Sequence, residues 1–199
     1  ADICLFNNGQ AFPDWLKEAA THVLGGGENT GFGRAHNRLM ETAFADHELY
    51  LGVNPDGVFH PRCIAKLLSL AERTGGNSLI EAMQVPTEHP KPYNPLNGDT
   101  PWTSGACFLV SQPIFAATGG FDEHIYMYCE DVDFAWRVRL AGYKTKICPE
   151  AWFHHDVSGR KPNPVLEQEM FLAARYLGEK WGVPEFRQHI EAAMQDRGL

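Results

Sequence analysis

An α/β sandwich built on a largely parallel sheet is the fold this sequence predicts. Three features point to it. Apolar runs of strand length recur along the chain, amphipathic stretches of helical length separate most of them, and glycine, proline and asparagine mark the turns between. The 199 residues can bury one full core. Apolar residues make up 44% and charged residues 21%, an ordinary globular composition. A net charge of -8 argues against general nucleic-acid binding but leaves room for a local phosphate pocket. No apolar run approaches the roughly 18 residues of a membrane span, and no signal peptide is visible. The cysteines Cys4, Cys63, Cys107, Cys129 and Cys148 are odd in number and lack Cys-x-x-Cys spacing, which favours reduced thiols and a cytoplasmic setting.

Asp2 to Phe6 reads as a buried strand ending at the Asn7-Asn8-Gly9 turn, and Pro13-Asp14 opens a helix with Trp15, Leu16 and Ala19 on one face. Val23-Leu24 is a minimal strand. The glycine-rich loop Gly25 to Gly33 follows, and a helix runs from about Arg34 to Phe44. Such a loop before a helix N-terminus suits a bound anion, though a plain turn explains it equally well. It lacks the dinucleotide fingerprint, which leaves an oxidoreductase unsupported. Glu48 to Val53 is a strand ending at Asn54-Pro55-Asp56-Gly57. Asp56 there could ligate Mg²⁺ or Mn²⁺, although the same four residues also make an ordinary turn.

Ile64, Leu67, Leu68 and Ala71 are spaced for one face of a helix over 61–73. Asn77 to Val85 is a strand. Five prolines in 86–101 mark an exposed, mobile loop facing substrate. Trp102 to Val110 returns to strand pattern, and Gln112 to Thr118 is a short helix. The stretch from Gly119 to Arg137 concentrates Asp122, Glu123, Glu130, Asp131 and Asp133 around two glycines and the aromatics Phe121, Tyr126 and Tyr128. Glu130 to Leu140 reads as the central helix. The helix dipole favours ionisation of Glu130 and Asp131, Asp133 can pair with Arg137, and Gly142 ends the helix. Any single carboxylate there could be a cap or a solvated ion pair, but the cluster as a whole reads as a catalytic centre. Lys144 to Cys148 and Ala151 to Phe153 are strands leading to His154-His155-Asp156. Ser158 to Pro162 is a basic loop, and helices follow from Pro164 to Trp181 and from about Pro184 to Gln195.

The order of these pieces resembles family 2 glycosyltransferases of the GT-A fold, especially the rhamnosyltransferase-like branch. The resemblance rests on Asn7-Asn8-Gly9-Gln10, Asn29-Thr30-Gly31-Phe32-Gly33 with Asn37, Asn54-Pro55-Asp56 and Ser104-Gly105-Ala106. It continues through Gly119-Gly120-Phe121-Asp122-Glu123, Glu130-Asp131-x-Asp133-x-x-x-Arg137, Ala141-Gly142-Tyr143 and Pro149-x-Ala151-x-x-x-His155. It covers about residues 2 to 158. It implies a GT-A-like three-layer α/β/α sandwich with a mostly parallel central sheet. Residues 1–160 would be the catalytic domain and 161–199 a C-terminal helical extension packed on it. Two departures matter. The family's opening strand, whose Thr-Tyr-Asn turn holds the base, has no counterpart here, and its nucleotide-strand Asp and Ser are Asn7 and Gln10.

The resemblance implies an inverting hexosyltransferase. The donor would be a dTDP- or UDP-linked sugar, with rhamnose as first choice, and the acceptor a glycan or lipid-linked glycan. Peripheral membrane association at the inner face would follow, and no nucleic acid is involved. A divalent cation, Mg²⁺ or Mn²⁺, would sit on Asp56 and His155, with His154 the competitor for the second position. Asp131 would be the base and Glu130 would orient the acceptor. Asn7, Asn29, Gly31, Gly33, Asn37, Asn54 and Asp56 would line the nucleotide-sugar, and Trp102, Gly105 and Asp122 would touch sugar or acceptor. Arg160 and Lys161 would close over the diphosphate. Two other readings stay open: a non-catalytic GT-A-like domain that binds a glycan or partner, and a sugar nucleotidyltransferase, whose N-terminal Gly-x-Gly-x-Arg signature is missing.

Overall fold

The computed structural model describes residues 1–9, 11–159 and 161–199; Gln10 and Arg160 lie outside the described residues. In chain order the elements are β1 (Cys4–Phe6), α1 (Asp14–Ala19), β2 (His22–Leu24), α2 (Phe32–Ala43), β3 (Leu49–Val53), β4 (Val58–Phe59) and α3 (Cys63–Arg73). There follow β5 (Ser78–Val85), β6 (Cys107–Ser111), α4 (Gln112–Thr118), α5 (Glu130–Leu140), β7 (Lys144–His154), α6 (Pro164–Lys180) and α7 (Pro184–Arg197).

The main sheet has the order β3-β6-β5-β7-β4, and β1 and β2 form a separate parallel pair. β5 runs parallel to β7, and β6 lies antiparallel between β3 and β5. The strands β3, β5 and β7 therefore share one direction, as the α/β pattern requires. The inserted β6 and the short β4 run the other way, so most neighbouring pairings in this sheet are antiparallel.

Side chains alternate across the sheet and divide the core in two. On one face Tyr50, Leu79, Phe108 and Val110 meet Leu39, Met40 and Ala43 of α2, Ile114 of α4, and Phe134, Ala135 and Val138 of α5. On the other, Ile80, Ala82, Cys107, Leu109 and Phe153 meet Cys63, Leu67 and Ala71 of α3. This is the three-layer sandwich. Cys4, Phe6 and Leu24 pack against the first cluster, which anchors the β1–β2 pair to the body.

Several boundaries differ from expectation for local reasons. β7 is one strand because a bulge opposite Ala82/Met83 absorbs residues 149–151, so Pro149 does not break it. The strand expected from Trp102 starts only at Cys107. α3 buries Cys63, Leu67 and Ala71 while Ile64 and Leu68 face outward, so its apolar stripe is rotated from the one read in sequence. α1 buries no residue, and Trp15 is exposed. Met170 of α6 is likewise exposed.

Candidate active site

The chemistry-bearing residues gather at one end of the main sheet. β3, β5 and β7 deliver their carboxyl ends there, and β6, running the other way, begins there, with Val53 opposite Cys107. That is the end where open α/β sheets bind ligands. Asp56 lies in the turn after β3, His155 just past β7, and Ser104-Gly105 just before β6. The Asn54 N–H donates to the Ala106 carbonyl at 2.8 Å, holding the Asp56 turn against the Ser104–Ala106 segment.

Two readings meet at this end. His155 Nε2 stands 3.2 Å from Asp56 Oδ1, and Nδ1 stands 3.1 Å from Gln84 Oε1. An amide oxygen only accepts, so Nδ1 carries a proton, and the other ring nitrogen, Nε2, faces Asp56. His155 is buried. His154 is exposed and pairs in register with Val58 and Val85, so His155 is the histidine that faces Asp56. Among the described residues no group of three or more His, Cys, Asp or Glu side chains is placed to hold a metal.

Beside this pair the start of α5 presents its carboxylates. Asp131 Oδ2 accepts from Gly105 N–H at 3.2 Å and Oδ1 from Val132 N–H at 2.8 Å. Burial raises the Asp131 carboxyl, against the Gly105 and Val132 amides and the charges of His89 and Lys91. Glu130 is 6% exposed, and no hydrogen bond reaches its Oε2. Burial first and the Asp131 charge second push its carboxyl up to about 8. The helix dipole was expected to favour ionisation here, but desolvation outweighs it. Tyr128 and Cys129 enter the helix with φ of 66° and 61°, a left-handed conformation that costs non-glycine residues about 1–3 kcal/mol each.

The carboxylates around this entry hold the scaffold. Asp133, fully buried, accepts from Arg137 Nε at 2.7 Å and Trp181 Nε1 at 3.0 Å and pairs with Lys180 at 2.7 Å. Arg137 also donates to the carbonyls of Thr118 and Gly120 at 2.8 and 2.6 Å. Asp122 takes Lys180 at 2.6 Å and the Tyr176 hydroxyl at 3.0 Å. Burial would raise the Asp122 carboxyl, but the bonds from Lys180, His124 and Tyr176 outweigh it and hold it well below the usual carboxylate range. The structure therefore places Asp122 against α6. Asn37 is spent on the same loop: its amide pairs both ways with the Phe121 backbone and reaches Glu123.

The glycine-rich half lies against this loop. Gly31 has φ 87°, and a Cβ there would stand 2.4 Å from the Tyr126 carbonyl, so a tight approach requires glycine. Gly33 is buried against Phe121. Asn29 Oδ1 caps Gly31 N–H at 3.0 Å. Asn7 ties the strand end to the loop through its backbone, accepting from Gly27 N–H. The sequence reading missed Asn8, whose side chain accepts from Thr30 N–H at 2.6 Å and donates to the Gly31 carbonyl at 3.1 Å. It also missed Glu81, Gln84, His89 and Lys91. The signal available was a carboxylate inside the apolar run of β5. Lys91 sits 3.9 Å over the Trp102 ring, and His89 meets the same indole with centroids 5.4 Å apart. Lys161 is exposed in the connection to α6, while its expected partner Arg160 lies outside the described residues.

No protein-family model matches the chain. Over 91 residues it is 40% identical to the N-acetylglucosaminyl-diphospho-decaprenol L-rhamnosyltransferase of Mycobacterium tuberculosis, an overlap covering 42% of this chain and 29% of that protein. Over 59 residues it is 37% identical to the rhamnosyltransferase WbbL of Escherichia coli K12, covering 28% of this chain and 22% of that one. Over these segments the chain is similar to rhamnosyltransferases. Its fold agrees. A crystal structure of GalNAc-T7 with UDP, GalNAc and Mn²⁺ superposes with a TM-score of 0.67 at 11% identity, over 96% of this chain and 49% of that one. The architecture of the chain is thus GT-A-like. The chain spans less than a third of the curated relatives it matches. None of its described helices is long and apolar enough to cross a membrane.

Proposed function

We propose that the chain transfers a sugar, with inversion, from a nucleotide-diphosphate donor to an acceptor hydroxyl of a growing glycan. The observation that carries this reading is the meeting of the Asp56–His155 pair and the Glu130–Asp131 pair on either side of Ser104–Ala106. The rhamnosyltransferase relatives support rhamnose as the sugar. The decaprenol-linked substrate in one relative's name supports a lipid-linked acceptor at the inner membrane face. In this reading 1–160 is the catalytic domain, with Asn7, Asn29 and Asn54 toward the donor and Trp102 toward the sugar or acceptor. Residues 161–199 are an extension packed on it through Tyr176, Lys180 and Trp181.

Asp56 and His155 fit a Mg²⁺ or Mn²⁺ ion. A carboxylate oxygen and an imidazole nitrogen 3.2 Å apart would suit a shared hard cation. Such a cation, when bound, supplies Lewis-acid stabilisation of the leaving diphosphate; GalNAc-T7 holds Mn²⁺ together with UDP. Asp131 takes the acceptor proton. Its raised pKa makes it a stronger base than a surface carboxylate, and the Gly105 and Val132 amides fix its orientation. Glu130, protonated at neutral pH, turns its unpartnered oxygen to the acceptor hydroxyls.

Asp131→Asn is expected to cut transfer by about 100-fold or more while leaving the donor-induced thermal shift in place. Wild-type turnover in that variant would refute the base assignment. A thermal-shift screen of UDP-, dTDP- and GDP-sugars with Mn²⁺ names the donor base, and silence for all three refutes donor binding. Asp56→Ala is expected to abolish the Mn²⁺ dependence of that shift.

A further inference from the structure

We propose that Glu81 is a positioning residue of this site, a buried side chain that ties the metal-side histidine to the backbone holding the base. The proposal rests on the transferase reading above. Glu81 lies in the middle of β5 at 1% exposure, between the apolar Ile80 and Ala82. Its Oε2 accepts from Ser104 N–H at 2.8 Å and from the Lys91 ammonium. Its Oε1 accepts from Gln84 Nε2 at 3.4 Å. Every neighbour is a donor, which suits an ionised carboxylate.

Two arms leave Glu81. Along one, the bond from Gln84 Nε2 fixes which way that amide points, so Gln84 Oε1 is left to receive His155 Nδ1–H at 3.1 Å. That bond sets the tautomer and ring orientation of His155 toward Asp56. Along the other, the Ser104 amide is held on Glu81 and the next amide, Gly105, is held on Asp131. Consecutive backbone N–H groups are thus clamped between two carboxylates, and Glu81 sets the distance between the two halves of the site.

The counter-charge comes from the 86–101 loop, which the sequence reading took as mobile and substrate-facing. Its Lys91 side chain is 2% exposed and enters over Trp102 to reach Glu81. The His89 ring from the same loop stands 3.2 Å from Ser104 Oγ. A buried ion pair is seldom the most stable filling for its volume, because desolvating two charges costs several kcal/mol. An apolar pair would serve packing in β5 equally well. A network of directed hydrogen bonds is what it would fail to supply.

The test uses the full chain with Mn²⁺ as probe, followed by electron paramagnetic resonance titration and thermal melts. Glu81→Leu/Lys91→Met removes both charges and is expected to melt near the wild type, while Lys91→Met alone, which strands the carboxylate, melts lower. Mn²⁺ affinity is expected to fall about tenfold to a hundredfold in the double variant and in Gln84→Leu. Gln84→Leu keeps the ion pair and decides the question alone if the double variant does not fold. A folded variant that binds Mn²⁺ as tightly as wild type overturns the positioning role and leaves the Asp56–His155 reading standing. Absence of Mn²⁺ binding by the wild type refutes that reading instead, and the positioning role with it.

Discussion

Glu130 shows how the site and the stability of the fold pull against each other. Its carboxyl titrates near 8 in the folded chain against 4.5 for the unperturbed group. Between those values the folded chain holds a proton that the unfolded chain has lost, so stability falls as pH rises through this window. Glu130→Gln removes the titration. It is expected to raise the unfolding free energy at pH 8 by on the order of 2–3 kcal/mol, and to change little near pH 4. Parallel melts of both proteins across pH check this. His36 has the opposite sign. Buried against Phe32, Phe108 and Phe121, with Nδ1 2.7 Å from the Tyr50 hydroxyl, it is lowered by burial from 6.5 to about 4. Its contribution to stability is full above pH 6.5 and is lost as pH falls through about 4. Its ring resonances are expected to stay in the neutral form down to about pH 5.

At the scale of elements, α6 braces α5 through Lys180, which lies between Asp122 and Asp133. Lys180→Met leaves Asp133 its bonds from Arg137 and Trp181 and takes from Asp122 its strongest partner. The expected cost is about 1–3 kcal/mol in a denaturant titration. Gly120→Ala tests the loop before α5. Its φ is 79°, and the added Cβ would stand 2.3 Å from Asn37 Oδ1. Destabilisation by about 2 kcal/mol or more is expected.

The elements also show what was legible in the sequence. The bounds of α4 and α5 could be read because glycines follow their C-termini. The two-residue β4 has no pattern to read, and β7 was split because a proline inside a strand looks like an end. Asp56, Asp131 and His155 were candidates because they fall in the motifs of the resemblance, and the structure brings them to one end of the sheet. Glu81 and Lys91 could not be, because a buried ion pair exists only once the loop after β5 has folded back onto that strand. The bonds of the Asn37 amide to the Phe121 backbone, 84 residues on, have no local signal in the sequence.

At the scale of the molecule, the sheet separates function from support. One end carries the site, and the opposite end carries a cleft of 650 Å³ lined by Trp136, Tyr143, Lys144 and Trp181. The cleft walls include the far end of α5 and the start of β7, so a ligand there would not meet Asp131. Cutting the chain after residue 160 removes Tyr176, Lys180 and Trp181 together. Such a fragment is expected to bind a hydrophobic dye and to lose its cooperative melt, a result read directly by fluorescence and calorimetry.

The bond between Trp181 and Asp133 spans 48 residues of sequence, and it has a consequence for biosynthesis. A polypeptide is made from its N-terminus, so α5 emerges well before the residues that neutralise its most buried acid. Until α6 arrives, Asp133 has only Arg137 as its charged partner. In the growing chain α5 is then incompletely packed until residues 176–181 of α6 and its C-cap have been made.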